Sequence, residues 1–237
     1  MSQSTTPSTE DKAPLQPAAE PVPPSSAPRL TEILFAAAEE PGLRKGERTR
    51  RRVIWASAVA LEQASYAQLS MDRIAEIAQV SRGALYQYVT SKEEAARLVL
   101  NRLQDLTLTM SGRGNLSDDP LETIIRTNLY YMDYYERNAV LMERVHELRE
   151  QMPDLIAARQ RVNREWAKRV MAHACRHRSE PMSETKLRLR VFALEGMIDD
   201  IMRELFIIKN PDLEKIAADR MFFVRELSII WHKTLYE

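Results

Sequence analysis

The sequence predicts an all-α fold, and three observations carry that reading. The 237 residues include only six glycines and no Asn-Gly or Asp-Gly pair, so tight hairpins have no local signal. Apolar residues recur three and four apart along most of the chain after Leu30, the spacing of one helix face. Asp119-Pro120 and Asn210-Pro211 each set a capping side chain before a proline, whose missing N–H costs nothing in a first helical turn. The length admits one sizeable domain, or a small one joined to a larger one.

Residues 1–30 read as a Pro/Ser-rich tail. Seven of the twelve prolines precede Leu30, and the segment has too little apolar side chain to offset its ordering entropy. Leu30 to Ala38 can make a helical turn or two before Pro41-Gly42. The basic run Arg44 to Arg52 then opens a helix whose apolar positions include Val53, Ile54, Ala56, Ala60 and Leu61. A charge run is as well explained by a solvated face as by phosphate contact, for which Arg48 and Arg51 are the candidates.

Ser70 to Lys92, SMDRIAEIAQVSRGALYQYVTSK, is the stretch around which the chain is organised. Ser70 can cap a short helix whose apolar face holds Ile74, Ala75, Ile77 and Ala78. After Gln79-Val80, Ser81 caps a second helix, with Leu85 and Val89 turned inward. Arg82, Gly83, Ala84, Tyr86, Gln87 and Tyr88 are left outward. Two short helices and a tight turn, the second presenting basic, amide and phenolic groups, fit a DNA major groove. Arg82 can donate to guanine and Gln87 can pair with adenine, while Tyr86 and Tyr88 suit phosphates. Ser91-x-x-Glu94 is a capping box for a helix running to about Leu108. Lys92 stands in its first turn, where the helix dipole favours acids. The zero net charge is unevenly spread: from Arg44 to Lys92 there are nine basic and four acidic residues, a basic head on an acidic body.

Ile74-Ala75, Val80-Ser81, Ala84-Leu85-Tyr86, Gln87-Tyr88 and Ser91-Lys92-Glu93 stand in the order found in the helix-turn-helix of the TetR family of bacterial regulators, which this stretch resembles. The resemblance is specific from about Gly46 to Leu108; beyond that it covers helix number and length only. Two positions depart from the family pattern. Gln79 stands where glycine is usual, so it has to tolerate positive φ. Val89 replaces phenylalanine and remains apolar. The resemblance implies a DNA-binding region at 44–108, with recognition motif 70–89 and linking helix 92–108, and a ligand-binding and dimerisation region at 118–237. It also implies a backbone contact for Lys92, a double-stranded palindromic operator, and a repressor released by a small molecule.

The clearest loop is Ser111-Gly112-Arg113-Gly114-Asn115, and beyond it helices are expected near 120–136, 139–151, 153–177, 183–208 and 211–236. Tyr130, Tyr131, Tyr134 and Tyr135 crowd one helix, and four phenolic hydroxyls are hard to bury without partners. With the resemblance, Tyr131, Tyr134, Met142, Trp166 and Phe192 become candidates for lining an effector cavity. That lining shows no concentration of charge, which points to an aromatic or lipid-like effector. Leu187, Val191, Leu194, Ile198, Ile201 and Leu205 follow a coiled-coil-like spacing, and Val224, Leu227 and Trp231 widen the apolar face of the last helix. Both faces are assigned to a homodimer interface.

His173 and His177 share a helix face, so a metal-responsive protein is an alternative. Cys175 points elsewhere, which breaks a three-ligand set. Asp199 and Arg203 read as a surface ion pair, and Asp200 with Glu204 as two solvated acids. No nucleophile elbow, phosphate loop or paired carboxylates suggest an enzyme, and no cofactor is implied. One cysteine and no membrane-length apolar run suit a cytoplasmic protein. A DNA-binding regulator without effector is the other alternative.

Overall fold

The computed structural model describes residues 27–110 and 119–237, and all its regular elements are helical. Most of the proline-rich tail and the loop at 111–115 fall outside these residues. Helix α1 spans Leu30–Ala38, α2 Lys45–Gln63, α3 Met71–Ala78, α4 Arg82–Leu85 and α5 Lys92–Met110. The larger part comprises α6 Pro120–Leu148, α7 Pro153–His177, α8 Glu184–Arg203, a π-helical turn Glu204–Ile208, α9 Pro211–Ala217 and α10 Arg220–Tyr236. Among the described residues no helix is long and apolar enough to cross a membrane.

The head packs α2 against α3 and α5 around Val53, Ala56, Leu61, Ile74 and Leu85, all buried. Helix α5 leaves the head and packs on α7 and α6, so it belongs to both parts. The acids expected at its start are arranged differently from a simple box. Ser91 Oγ accepts the Glu94 N–H at 3.2 Å, but Glu94 Oε2 accepts from the Thr90 N–H at 2.7 Å, one residue earlier.

Three expectations about the body need correction. No break occurs at 137–138, and α6 runs on to Leu148. Asn138 is buried mid-helix, with Oδ1 accepting the Leu30 N–H at 2.8 Å and Nδ2 donating to the carbonyls of Pro28 and Tyr134. A residue that looks like a helix breaker is held there by groups more than a hundred residues away. The last helix is divided, because Asp219 caps a new start by accepting the Phe222 N–H at 3.0 Å. Finally, α8 loosens into the π turn before Lys209, which is left-handed at φ 62°.

Helix α1 straps head to body. Besides the Asn138 bonds, Arg29 pairs with Glu62 of α2 at 2.7 Å, and Glu32 pairs with Arg137 of α6 at 2.6 Å. At the far end of the body, Arg178 and Arg190 donate to the carbonyls of Leu235 and Thr234, which the end of α10 leaves unbonded.

Candidate nucleic-acid interface and effector cavity

The helix-turn-helix is built from local bonds. Ser70 Oγ accepts the Arg73 N–H at 3.2 Å and starts α3. Helix α3 closes with a left-handed cap: the Val80 N–H reaches the Ala75 carbonyl and the Gln79 N–H that of Glu76, both at 3.1 Å. Gln79 takes the left-handed conformation, φ 56° and ψ 43°, and Arg52 donates to its Oε1 at 3.0 Å. Ser81 Oγ accepts the Ala84 N–H at 3.2 Å and starts α4, which tightens into turns through Val89. Leu85 and Val89 are buried, while Arg82, Gly83, Tyr86 and Gln87 are exposed and Ala84 and Tyr88 half-buried. Nothing lies within 4 Å of where a Cβ on Gly83 would sit. The protein's own packing therefore does not require glycine there.

The basic groups divide by their engagement. Arg82 lies 5.9 Å from the Tyr86 ring centroid and 3.3 Å from an exposed Asp72 carboxylate, a pairing weak enough to exchange for a base edge. Arg48 is exposed, with no ion pair among the described residues. Arg51 is occupied by Glu47 at 2.9 Å, Glu40 at 2.6 Å and the Ala37 carbonyl at 2.9 Å, so it is the weaker phosphate candidate. Lys92 Nζ stands 4.8 Å from the Tyr66 ring centroid and 3.4 Å from the Tyr66 carbonyl oxygen. Its charge at the start of α5 therefore already has internal partners, although the helix dipole favours acids there.

A cavity of about 110 Å³ lies in the body between α5, α6, α7, α8 and α10. Tyr131, Met142 and Trp166 line it, beside Leu103, Gln104 and Thr107 of α5. Two of the residues assigned to it sit elsewhere. Tyr134 is fully buried behind the wall, its hydroxyl 2.9 Å from Thr107 Oγ1 and 3.1 Å from the Leu103 carbonyl. Phe192 is on the outer surface, 39% exposed. Nor is the lining free of charge, since Arg159, Glu195 and Asp199 all reach it. Asp199 pairs with Arg159 and accepts from the Tyr131 hydroxyl, while Arg203 forks onto Glu143 at 2.7 and 2.9 Å. The expected Asp199–Arg203 pair does not form, because Arg159 of α7 and Tyr131 of α6 take Asp199 while Glu143 takes Arg203.

Glu195 is 8% exposed, and neither carboxylate oxygen has a hydrogen-bond partner. Burial, opposed by Arg159, pushes its pKa up to about 7. Gln104 Oε1 and Trp231 Nε1 are likewise buried without partners. Trp166 and Trp231 meet edge-to-face at 5.3 Å. A signal for Glu195 existed: it stands four residues after Val191 and three before Ile198, on an apolar face where a carboxylate is out of place.

The dimer assignment is also redirected. Leu187, Val191, Leu194, Ile198 and Leu205 are buried within the chain itself, as are Val224, Leu227 and Trp231, and Ile201 is half-buried. The spacing is a packing seam, but it faces the protein's own core. The outward face of α8 instead carries Leu189, 70% exposed, with Phe192, Ala193 and Gly196. That of α10 carries Phe222, 53% exposed, and Ile230.

His173 and His177 stack at 4.3 Å between ring centroids and do not converge on a shared point. His173 Nδ1 is 2.6 Å from the Tyr236 hydroxyl, and His177 Nδ1 is 3.0 Å from the His173 carbonyl oxygen. Among the described residues no group of three or more potential metal ligands occurs.

Residues 54–96 match the family described as bacterial regulatory proteins, tetR family. No curated protein matches the chain. Among solved structures it is similar to a tetR-family transcriptional regulator from Streptomyces coelicolor, with a TM-score of 0.61 at 16% identity over 79% of this chain and 82% of that one. A TetR-like transcriptional regulator from Rhodococcus sp. RHA1 gives 0.54 at 18% over 81% and 97%. A fatty acid degradation regulator from Bacillus halodurans gives 0.56 at 16% over 76% and 93%. At these identities the likeness is one of fold.

Proposed function

We propose that the chain is a DNA-binding transcription regulator of the bacterial tetR family and acts as a homodimeric repressor released from a palindromic operator by a small molecule. The observation that carries this reading is the position of the cavity. Leu103, Gln104 and Thr107 form part of its wall, and they belong to the helix whose first turn abuts the helix-turn-helix. A molecule that enlarges the cavity by pushing on this wall displaces α5 and with it the helix-turn-helix.

In this reading Arg82 and Gln87 reach base edges, Arg48, Tyr86, Tyr88 and the Ser70 and Ser81 turns hold the backbone, and Gly83 with Ala84 lets α4 approach closely. Lys92 adds a phosphate contact if it leaves Tyr66. Two copies meet through the outer faces of α8 and α10, around Leu189, Phe192, Ala193, Gly196, Phe222 and Ile230, as a four-helix interface. That arrangement sets the two α4 helices about one turn of DNA apart, roughly 34–36 Å. An effector shifts the equilibrium only through its differential affinity for the two packings. Burying about 100–200 Å² of additional apolar surface at ~25 cal/mol/Å² supplies the few kcal/mol required.

Footprinting on the DNA upstream of its own gene tests the reading, with a protected palindrome as the expected result. Leu189→Glu with Phe222→Glu should turn a sedimenting dimer into a monomer and abolish that protection. A monomeric wild-type protein, or a footprint on a single half-site, would refute it.

A further inference from the structure

We infer that the effector is an organic cation, a compact aromatic amine whose ammonium group is received by Glu195 and whose ring lies against Trp166 and Trp231. The inference rests on the cavity being the effector site and adds the chemistry of what it takes.

The unpartnered atoms in the cavity point one way. Three are acceptors, the two carboxylate oxygens of Glu195 and Oε1 of Gln104; only Trp231 Nε1 is a donor. An occupant that donates hydrogen bonds satisfies more of them than one that accepts. Charge gives the same answer. The other charged groups of the lining, Arg159 and Asp199, are paired with each other, and Asp199 also takes the Tyr131 hydroxyl. Glu195 is thus the charge in the lining left without an ion-pair or hydrogen-bond partner, Arg159 acting on it only at a distance. A carboxylate ligand would meet an arginine already committed and an acid that repels it. A buried acid without a partner is expensive, and the pKa raised to about 7 by burial reports that cost. An ammonium ion converts it into a charge-assisted pair. The walls suit the rest of such a molecule: Trp166 and Trp231 meet edge-to-face at 5.3 Å, and aromatic surface attracts a cation as well as a ring. At about 110 Å³ the cavity is smaller than an engineered cavity of about 150 Å³ that holds benzene, so even a one-ring amine has to enlarge it on entering, as release of DNA requires.

Three probes of nearly one shape test this on the full-length protein by calorimetry and by competition with operator DNA: 2-phenylethylammonium, 2-phenylethanol and 3-phenylpropionate. The ammonium compound should bind about tenfold tighter than the alcohol, with the carboxylate weakest. Glu195→Gln should bring the ammonium-to-alcohol ratio close to one. The wild-type ratio alone decides the matter if that variant does not fold. Tightest binding by the carboxylate, equal binding of all three, or binding by none overturns the inference. Ammonium binding that leaves the operator complex intact would uphold the cavity chemistry and sink the effector reading. Release by the carboxylate alone would do the reverse.

Discussion

Residues 70–94 and residues 184–208 carry equally regular patterns, yet the first stretch explains itself and the second does not. In the head every signal acts within a few residues. Ser70 and Ser81 cap the helices they precede, Gln79 closes α3, and the turn into α4 follows from bonds spanning three to five residues. In α8 the spacing correctly collects Leu187, Val191, Leu194 and Ile198 on one face, but that face looks into the protein. Periodicity tells which residues share a side of a helix; only the neighbouring helices decide whether that side meets core, cavity or partner.

Five substitutions break or sharpen this contrast, beginning with the largest effect. Asn138→Ala removes a mid-helix amide that holds the Leu30 N–H and the Pro28 carbonyl, leaving two backbone groups without partners. It should cost about 2–4 kcal/mol in denaturant unfolding and expose the α1 amides to rapid hydrogen exchange. A loss under about 0.5 kcal/mol would mean that α1 does not strap the body to the head.

Glu195→Gln should act in the opposite direction. The folded-state pKa of Glu195, about 7, lies above its ordinary 4.5, so its ionisation costs nothing below about 4.5, destabilises increasingly between about 4.5 and 7, and levels off above. Above neutral pH the variant should therefore exceed the wild type by up to about 3 kcal/mol, with the difference vanishing near pH 4. Chemical denaturation across that range reads it, and a difference independent of pH would show that Glu195 is not the titrating group.

Arg82→Ala bears on the proposed DNA surface. It should cost roughly 1–3 kcal/mol on the cognate site and relax preference at one base pair, with little change in stability because Arg82 and Asp72 are both well exposed. Lys92→Ala should weaken all sequences alike and also loosen the head, since Lys92 sits against Tyr66. Unchanged operator affinity and preference in Arg82→Ala would move base reading elsewhere. The smallest effect is expected of Gln79→Gly, which relieves a left-handed side chain but loses the bond from Arg52. Their near balance should leave a stabilisation below about 1 kcal/mol by thermal unfolding.

Much of the molecule was legible before folding. Caps, prolines and apolar spacing marked α1 to α5, the start of α6 and the limits of α7, because each depends on atoms a few residues apart. The same kind of signal exists for Asp219, whose capping carboxylate stands between two stretches that share one helical spacing. Asn138 could not be read that way, since its partners lie at Pro28 and Leu30.

The sequence by itself determined the helical class, the two-helix reading head with its outward Arg82, Tyr86 and Gln87, and the side of each body helix that is apolar. The tertiary structure decided which way those sides face, which of the tyrosines border space, and that Glu195 stands in the cavity beside an arginine already taken by Asp199. The division follows range. A cap or a turn is a contest among neighbouring atoms, whereas burial and charge pairing depend on which distant helix arrives, and no local pattern encodes that arrival.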